Sequence, residues 1–236
     1  MSGLSGRVAV VTGGGSGIGL DVARTLAEEG VHVTICGRKK GKLESAVRKF
    51  KKLPGEVRSV VADVSRPADV RRLMAGVIRR HRRVDVLVNN AGIYKRGNLD
   101  SISLADWDEI INVNLRGAFL CTRAVLPVMK KRRSGYVINI SSLAGKMGME
   151  GGGAYSASKF GLNGMTESLA EEGERFNIRA TSICPGYVAT PMVRGVAVPF
   201  KKMIQPGDIS QTVLYLLNLT PQVKIKEIVI ERKGAG

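Results

Sequence analysis

Hydrophobic positions along the chain follow two patterns that alternate from end to end. Short apolar runs rich in β-branched residues predict seven strands, and six of them lack the period-two alternation of a strand with one wet face. We predict strands at 8–11, 31–36, 57–62, 84–88, 136–140, 179–184 and 225–230. Between them, apolar residues at helical spacing predict helices at about 17–30, 40–52, 67–81, 104–131, 153–176 and 207–218.

Strands that alternate with helices are typical of an α/β fold: a Rossmann-type doubly wound parallel sheet of about seven strands with helices on both faces. No linker rich in Pro, Gly or Ser and no shift in composition divides the 236 residues, so we predict one domain over 1–236. Ligands of such sheets bind beyond the carboxyl ends of the strands. The candidate motifs below all lie at those ends.

Composition excludes several classes of protein. Hydrophobic residues make up 44% and charged residues 24%, as in a soluble globular chain rather than a disordered one. No run approaches the roughly 18 apolar residues of a membrane span, and the N-terminus lacks a signal-peptide pattern, so we predict a cytoplasmic protein without membrane contact. The three cysteines and two histidines lack ligand spacing, which predicts buried free thiols, surface histidines and no metal.

The net charge of +17 raises a second possibility, binding to nucleic acid. The positive residues concentrate at 38–58, 66–83 and 130–133, on the polar sides of predicted helices, and few aromatic residues lie among them. We therefore interpret them as solvated helix faces and predict no nucleic-acid partner. Such a surface would still attract a cofactor or substrate that carries phosphates.

A glycine-rich turn follows the first strand and opens the first helix. Glycines permit a tight turn and close approach of the backbone, and free N–H groups at the start of the helix face an anionic pyrophosphate. The spacing is Gly-x-x-x-Gly-x-Gly, which differs from the usual dinucleotide fingerprint. We predict cofactor contacts here from Gly13, Gly15, Ser16, Gly17, Ile18 and Gly19.

The end of the second strand indicates which dinucleotide is bound. A ribose 2′-hydroxyl calls for a carboxylate at this position, whereas a 2′-phosphate calls for a cation. The chain has Arg38 and Lys39 here and no acid, and a guanidinium binds phosphate through two parallel hydrogen bonds. We therefore predict NADP(H) as the cofactor in preference to NAD(H). The alternative is that Arg38 only faces solvent at the start of a helix.

Three further strand ends are typical of the walls of a cofactor cleft. Asp63 and Val64 follow the third strand, where a carboxylate either accepts from an adenine amino group or caps the next helix at Ser65. Two asparagines and a glycine follow the fourth strand, and they either line the cleft or tie neighbouring strands together. A Pro-Gly turn follows the sixth strand, where nearby side chains either approach a carboxamide or belong to a simple turn. The candidates in the last two segments are Asn90, Ala91, Gly92, Pro185, Gly186, Val188 and Thr190.

Tyr155 and Lys159 lie one helical turn apart, and Ser142 ends the fifth strand. A neighbouring ammonium stabilises phenolate, so this spacing predicts that the pKa of Tyr155 falls from about 10 towards neutrality. Ser142 would donate a hydrogen bond to a substrate oxygen, and Asn114 would hold a water that relays protons through Lys159. Each residue alone is as well explained by chance spacing, capping or a buried polar contact. Together they predict hydride chemistry, in which Tyr155 gives its proton to the developing alkoxide during reduction.

Taken in order, these motifs resemble those of the short-chain dehydrogenase/reductase superfamily. The residues that carry the resemblance are Thr12 to Gly19, Asn89 to Gly92, Asn114, Ser142, Tyr155 to Lys159, and Pro185 with Gly186. The resemblance implies a seven-stranded Rossmann fold, NAD(P) dependence, and a catalytic tetrad of Asn114, Ser142, Tyr155 and Lys159. It also implies a homodimer or homotetramer assembled through the helices near 104–131 and 153–176.

Two segments depart from the family pattern and bear on the substrate. Residues 191–205 are short and apolar, which predicts a small lid and disfavours steroid-type substrates, and residues 146–150 edge the same cleft. The C-terminus lacks the glycine-rich ending of many members, which disfavours the ketoreductases of fatty-acid synthesis. We predict an NADP-dependent oxidoreductase that interconverts a secondary alcohol and a carbonyl in a 3-hydroxy acid, a 3-oxoacyl compound or another small carbonyl substrate. The alternative is a redox sensor or scaffold that binds NADP(H) without turnover.

Overall fold

The fold is built on a parallel sheet of seven strands in the order β3-β2-β1-β4-β5-β6-β7, in a computed structural model that describes residues 3–234. The strands are β1 Val8–Thr12, β2 His32–Gly37, β3 Val57–Val61, β4 Val86–Asn89, β5 Gly135–Ile140, β6 Ile178–Pro185 and β7 Glu227–Ile230. Each neighbouring pair is parallel. The predicted fold class is confirmed, and the largest differences in strand bounds are that β4 and β7 begin two residues later than the pattern predicts.

Helices cover both faces of the sheet, as predicted. Within residues 3–234 they are α1 Gly17–Glu28, α2 Lys40–Lys49, α3 Pro67–His81, α4 Leu104–Ile111, α5 Gly117–Arg132, α6 Gly153–Glu174 and α7 Pro206–Asn218. The helix predicted over 104–131 is interrupted by one π-helical segment, Asn112–Arg116, which joins α4 to α5. Short 3-10 turns at Leu143–Gly145, Pro191–Val193 and Phe200–Lys202 lie in connecting segments.

Apolar side chains form one packed layer on each side of the sheet. One layer packs α1, α2 and α7 against the strands through residues such as Leu26 and Ile209. The other packs α3, α5 and α6 through residues such as Leu73 and Val125. Each such buried side chain contributes about 1.5–3 kcal/mol to stability, so the layers hold the helix starts firmly against the carboxyl edge of the sheet.

The strand order places a crevice at that edge. The chain lays down β1, β2 and β3 in one direction and then places β4 on the other side of β1. The loops that follow β1 and β4 therefore leave the sheet on opposite sides and open a cleft between them. This is the position at which the sequence motifs are expected to meet.

The sequence assigns no functional role to the cysteines and histidines. Cys36, Cys121 and Cys184 are free and buried, as predicted. His32 and His81 are half-buried and stack at 5.8 Å between ring centroids, where the sequence predicts surface positions. They meet because the start of β2 and the end of α3 lie side by side. Among residues 3–234, none of the helices combines the length and apolar character needed to cross a bilayer.

Candidate active site

A cleft of about 840 Å³ lies along the carboxyl ends of the strands. It is lined by all the predicted site residues except Gly19 and Asn114. The lining also includes side chains that the sequence reasoning did not select, among them Lys42, Tyr94, Arg96 and Tyr187. It includes Met149, Glu150, Met192 and Arg194 as well, from the two segments that the sequence placed at the edge of the cleft and in its lid. The four unselected residues named above follow a strand end within seven residues, so an extension of each motif along its loop would have found them.

The glycine turn is locked to the loop after β4. Thr12 Oγ1 accepts hydrogen bonds from the backbone N–H groups of Asn90 and Ala91, both at 3.0 Å, and Asn90 Nδ2 donates to the Thr12 carbonyl at 2.8 Å. Gly19 lies under this contact, because a Cβ added there would come within 2.3 Å of Asn90 Nδ2. Gly13 has a positive φ of 68°, which side-chain-bearing residues rarely adopt. Gly19 thus permits close packing beneath the turn rather than lining the cleft.

The two asparagines after β4 divide the roles that the sequence left open. Asn89 ties neighbouring elements together, because its Nδ2 donates to Asn139 Oδ1 at 2.8 Å and to Thr122 Oγ1 at 3.0 Å. Asn90 lines the cleft and holds the glycine turn. Asn89 therefore ties neighbouring elements together and Asn90 lines the cleft, so each of the two predicted roles belongs to one asparagine.

Cations surround the end of the cleft next to β2. Arg38, Lys39 and Lys42 line it, and Arg38 Nη1 lies 3.3 Å from Glu109 Oε1. Glu109 in turn lies 2.5 Å from Lys95 Nζ, and the hydrogen bond from Lys95 is the main cause of its lowered pKa. Arg38 therefore lines the cleft and pairs with Glu109, while 54% of its side chain stays exposed to solvent.

Asp63 also lines the cleft, and it closes a local turn. Its Oδ1 accepts from the backbone N–H of Ser65 at 2.9 Å and from Ser65 Oγ at 2.7 Å. The residue that precedes α3 as its N-cap is Arg66, so Asp63 does not cap that helix at Ser65 as one alternative proposed. Asp63 faces the cleft with one oxygen already engaged, which fixes its orientation.

Ser142, Tyr155 and Lys159 meet in the middle of the cleft. Ser142 Oγ accepts from the backbone N–H of Ala144 at 3.1 Å, so it caps the 3-10 turn after β5 while it also lines the cleft. Lys159 Nζ donates to the Ile140 carbonyl at 2.8 Å and lies 5.5 Å from the centroid of the Tyr155 ring. Helix α6 thus places the Tyr155 phenol and the Lys159 ammonium next to the end of β5.

The predicted fall in the pKa of Tyr155 is wrong for this arrangement. Burial raises the pKa of Tyr155 to about 12, and a hydrogen bond with Ser142 opposes the rise only in part. Burial also lowers the pKa of Lys159 to about 8. The sequence argument counted the charge of Lys159 and omitted the desolvation of both groups, which outweighs it. Tyr155 consequently holds its proton at neutral pH.

Asn114 lies in the π-helical segment and is buried. Its Oδ1 accepts from the backbone N–H of Ile93 at 2.8 Å, and its Nδ2 donates to the Ile93 carbonyl at 2.9 Å and to Ser158 Oγ at 3.1 Å. Both amide hydrogens are therefore occupied, and the side chain holds the loop after β4 instead of facing the cleft. The prediction that this amide holds a relay water does not agree with these contacts. π-helical turns inside α-helices often occur at functional sites.

The segment after β6 closes the remaining side of the cleft. Val188 bridges to Ile204, and Thr190 packs near Gly17, where an added Cβ would lie 3.1 Å from Thr190 Cγ2. Residues 191–197 complete the wall with one 3-10 turn. The Pro-Gly turn is therefore more than a reversal of the chain, because it brings Thr190 against the glycine turn.

Comparison with known proteins agrees with this geometry. The family model for short chain dehydrogenase matches residues 7–198. The chain is 36% identical over 223 residues to the 3-oxoacyl-[acyl-carrier-protein] reductase FabG of Thermotoga maritima, a match that covers 90% of this chain and 91% of that protein.

Solved structures of known proteins match the fold of this chain as well. A metagenomic short-chain oxidoreductase in complex with NADP has a TM-score of 0.87 and 38% identity, and the match covers 98% of this chain and 99% of that one. A variant of the actinorhodin polyketide ketoreductase with NADPH has a TM-score of 0.90 and 31% identity, with 98% of each chain covered.

Proposed function

This chain belongs to the short-chain dehydrogenase/reductase family, and we propose that it uses NADP(H) to interconvert small carbonyl compounds and secondary alcohols in the cleft described above. As a member of that family it is an oxidoreductase that acts on CH–OH and C=O groups. The observation that carries the proposal is the meeting of Ser142, Tyr155 and Lys159 in one cleft with the glycine turn. No residue set of this kind is needed by a protein that only binds a cofactor.

The cleft fits a phosphorylated dinucleotide. Its volume lies within the range of about 300–1,000 Å³ that is usual for small-molecule sites. Free N–H groups at the start of α1 suit a pyrophosphate, and Arg38, Lys39 and Lys42 suit a further phosphate beside β2. A 2′-phosphate explains why three cations line this end. NADPH, when bound, supplies the hydride.

The residues in the middle of the cleft then handle the substrate oxygen. Ser142 and Tyr155 donate hydrogen bonds to that oxygen and hold the carbonyl carbon in place, which removes much of the entropic barrier to transfer. Tyr155 carries a proton at neutral pH because burial raises its pKa to about 12, so it is ready to act as the acid in reduction. Lys159, fixed by the Ile140 carbonyl, supplies the positive charge that stabilises the phenolate once the proton has left.

The experiment that tests this function is a titration followed by turnover. NADPH and NADH are titrated into the protein by fluorescence, and NADPH oxidation is then followed with a panel of ketones, 3-oxo esters and aldehydes. We expect tighter binding of NADPH and turnover of at least one ketone. Tyr155→Phe should keep the NADPH affinity and lose about 10²–10⁴-fold in turnover, because only the proton donor is removed. Equal loss of NADPH affinity would contradict the place of Tyr155, and binding without any turnover would favour the sensor hypothesis.

We also propose a homodimer or homotetramer formed through α5 and α6. Phe119 on α5 is 45% exposed and Phe160 on α6 is 48% exposed, so each helix presents an aromatic side chain that assembly would bury. The buried free cysteines support a reducing, cytoplasmic location. Light scattering of the protein and of a Phe119→Glu, Phe160→Glu variant tests the assembly, since the variant should be a smaller species.

A further inference from the structure

One part of the cleft, which we call the substrate half, contains an arginine without a counter-ion. This half is lined by Tyr94, Arg96, Met149, Glu150, Tyr187, Met192 and Arg194. Arg96 lines the cleft, and across residues 3–234 it has neither a hydrogen bond nor an ion pair. Its neighbours differ, because Lys95 pairs with Asp106 and Glu109, and Arg38 pairs with Glu109. A guanidinium that faces a cleft in this state is available to an anionic ligand, which it can bind through two parallel hydrogen bonds.

The aliphatic part of the Arg96 side chain lies next to glycines. Gly97 N donates to the Gly151 carbonyl at 3.0 Å, and Gly97 also pairs with Gly152 as an isolated bridge. Arg96 then lies across Gly151, where an added Cβ would come within 3.1 Å of both Cγ and Nε of the arginine. A side chain at Gly151 would displace the arginine, so Arg96 can take this position because residue 151 is a glycine.

Arg96 lies close in the chain to Tyr94, which contacts Tyr155. Tyr94 stands two residues before Arg96, and the Tyr94 ring packs edge-on against the Tyr155 ring with 5.4 Å between centroids. Two residues span at most roughly 7 Å of chain, and an arginine side chain can reach back over much of that distance. The guanidinium can therefore meet a group that lies a few bonds from a carbonyl at Tyr155.

Two other charges lie at this end of the cleft. Arg194 lines it from the segment after β6, and Glu150 lines it next to Gly151. All three side chains are exposed, and within the described residues Glu150 forms no ion pair with either arginine. The substrate half therefore carries two cations and one acid, while Met149, Tyr187 and Met192 supply its apolar surface. This composition suits a small molecule with an apolar body and one negative end.

We propose that Arg96 binds the carboxylate of the substrate, so that the protein prefers short oxo acids, and the corresponding hydroxy acids, to their neutral esters. The inference rests on the function proposed above and names the substrate class of that site. The phosphates of a thioester carrier are a second source of negative charge, but they lie many bonds from the carbonyl. The position of Arg96 only two residues after Tyr94, whose ring contacts that of Tyr155, favours the carboxylate.

The test compares each acid with its own ester. NADPH-dependent reduction is measured for 3-oxo, 4-oxo and 5-oxo acids and for their methyl esters, which share the reacting carbonyl and differ in charge. We expect kcat/KM for at least one acid to exceed that of its ester. Arg96→Gln should lower kcat/KM of that acid by about ten- to hundredfold and leave the ester unchanged, the range that loss of a charge-assisted pair allows. Arg96→Lys should keep part of the preference, since it retains charge but not the two parallel bonds.

Two variants serve as controls. Arg48→Gln removes one positive charge from an exposed position on α2 outside the cleft lining, and it should leave the ratio of acid to ester unchanged. Glu150→Gln removes the acid of the substrate half and should keep or raise that ratio. A change in Arg48→Gln equal to that in Arg96→Gln would assign the preference to overall charge and overturn the inference.

The remaining outcomes separate this inference from the proposed function. Turnover of esters with no acid faster than its ester overturns the inference and leaves the function intact. Acetoacetyl-coenzyme A has no free carboxylate, so if Arg96→Gln slows it as much as acetoacetate, Arg96 does not act through a carboxylate and the assignment is wrong. Absence of NADPH binding, or of turnover with every compound, overturns the proposed function itself. An unchanged ratio of acid to ester in Arg96→Gln overturns only the role of Arg96.

Discussion

Arg38 Nη1 lies 3.3 Å from Glu109 Oε1, so the cation at the end of β2 already has a carboxylate partner 71 residues along the chain. Lys95 holds Glu109 from the other side at 2.5 Å. Glu109 therefore has two effects on Arg38: it fixes the guanidinium at the cleft, and it adds a negative charge where we propose that a 2′-phosphate binds. The second effect should dominate, because like charges close together cost more than the weak ordering of an exposed pair contributes.

We expect Glu109→Gln to tighten NADPH binding. Removal of the carboxylate should raise NADPH affinity by about two- to fivefold, the scale of an exposed ion pair, and should not raise NADH affinity. Fluorescence titration of both cofactors measures this. Glu28→Gln, which removes an acid paired with Arg24 on α1, is the matched control and should leave both affinities unchanged. Weaker NADPH binding in Glu109→Gln would mean that the ordering of Arg38 is the larger effect.

We expect Arg38→Asp to move the preference towards NADH. The change replaces a phosphate ligand with a carboxylate that accepts from a ribose hydroxyl, so NADPH affinity should fall by about tenfold or more while NADH affinity holds or rises. The same titration gives the ratio of the two dissociation constants. An unchanged ratio would show that Lys39 and Lys42 bind the phosphate without Arg38.

The fold could be predicted because its signals are local. Buried parallel strands are apolar throughout, and glycine turns mark where strands end and helices begin, so β1 with α1 is readable from a few residues. The π-helical segment around Asn114 was not predictable, because nothing in the sequence distinguishes it from ordinary helix. The C-terminal ending disfavours the ketoreductases of fatty-acid synthesis, and that prediction stays untested, because 36% identity to one 3-oxoacyl-[acyl-carrier-protein] reductase does not establish the substrate of this chain.

The candidate site was predictable as a set of residues but not as an electrostatic environment. The positions of Ser142, Tyr155 and Lys159 in one cleft follow from the strand ends that precede them. The pKa of Tyr155 does not, because it depends on how much water the folded chain removes, and spacing in a helix contains no such information. The pairing of Arg38 with Glu109 is equally hidden, since it joins segments far apart in sequence.

The pKa of Lys159 predicts how reduction depends on pH. Burial lowers it to about 8, so the ammonium loses its charge as the pH rises through 8 rather than through the usual 10.4 or so. Tyr155 keeps its proton throughout, with a pKa of about 12. We expect kcat/KM for reduction to be flat below neutrality and to fall above about pH 8. Steady-state rates between pH 6 and 10, with NADPH affinity measured at each pH, separate loss of binding from loss of chemistry.

Lys159→Arg identifies the group responsible for that fall. A guanidinium stays charged across the whole range, so the variant, although slower, should lose the decline above about pH 8. A decline at the same pH in both proteins would assign it to another group. Rates in the unaltered protein that stay flat up to about pH 9.5 would mean that Lys159 titrates as an ordinary lysine.

Asn114 offers a test of a positioning role. Asn114→Ala leaves the N–H and carbonyl of Ile93 without their partner, and each buried polar group left unpaired costs about 1–3 kcal/mol. Because Ile93 is only half-buried, we expect the free energy of unfolding, measured with urea, to fall by about 2–3 kcal/mol, the low end of the sum for the two groups. Asn112→Ala is the matched control, since within the described residues the Asn112 side chain makes no hydrogen bond, and it should cost less than about 1 kcal/mol. If Asn114→Ala is as stable as Asn112→Ala but has lost turnover, then Asn114 acts in the chemistry and not through the loop that carries Ile93.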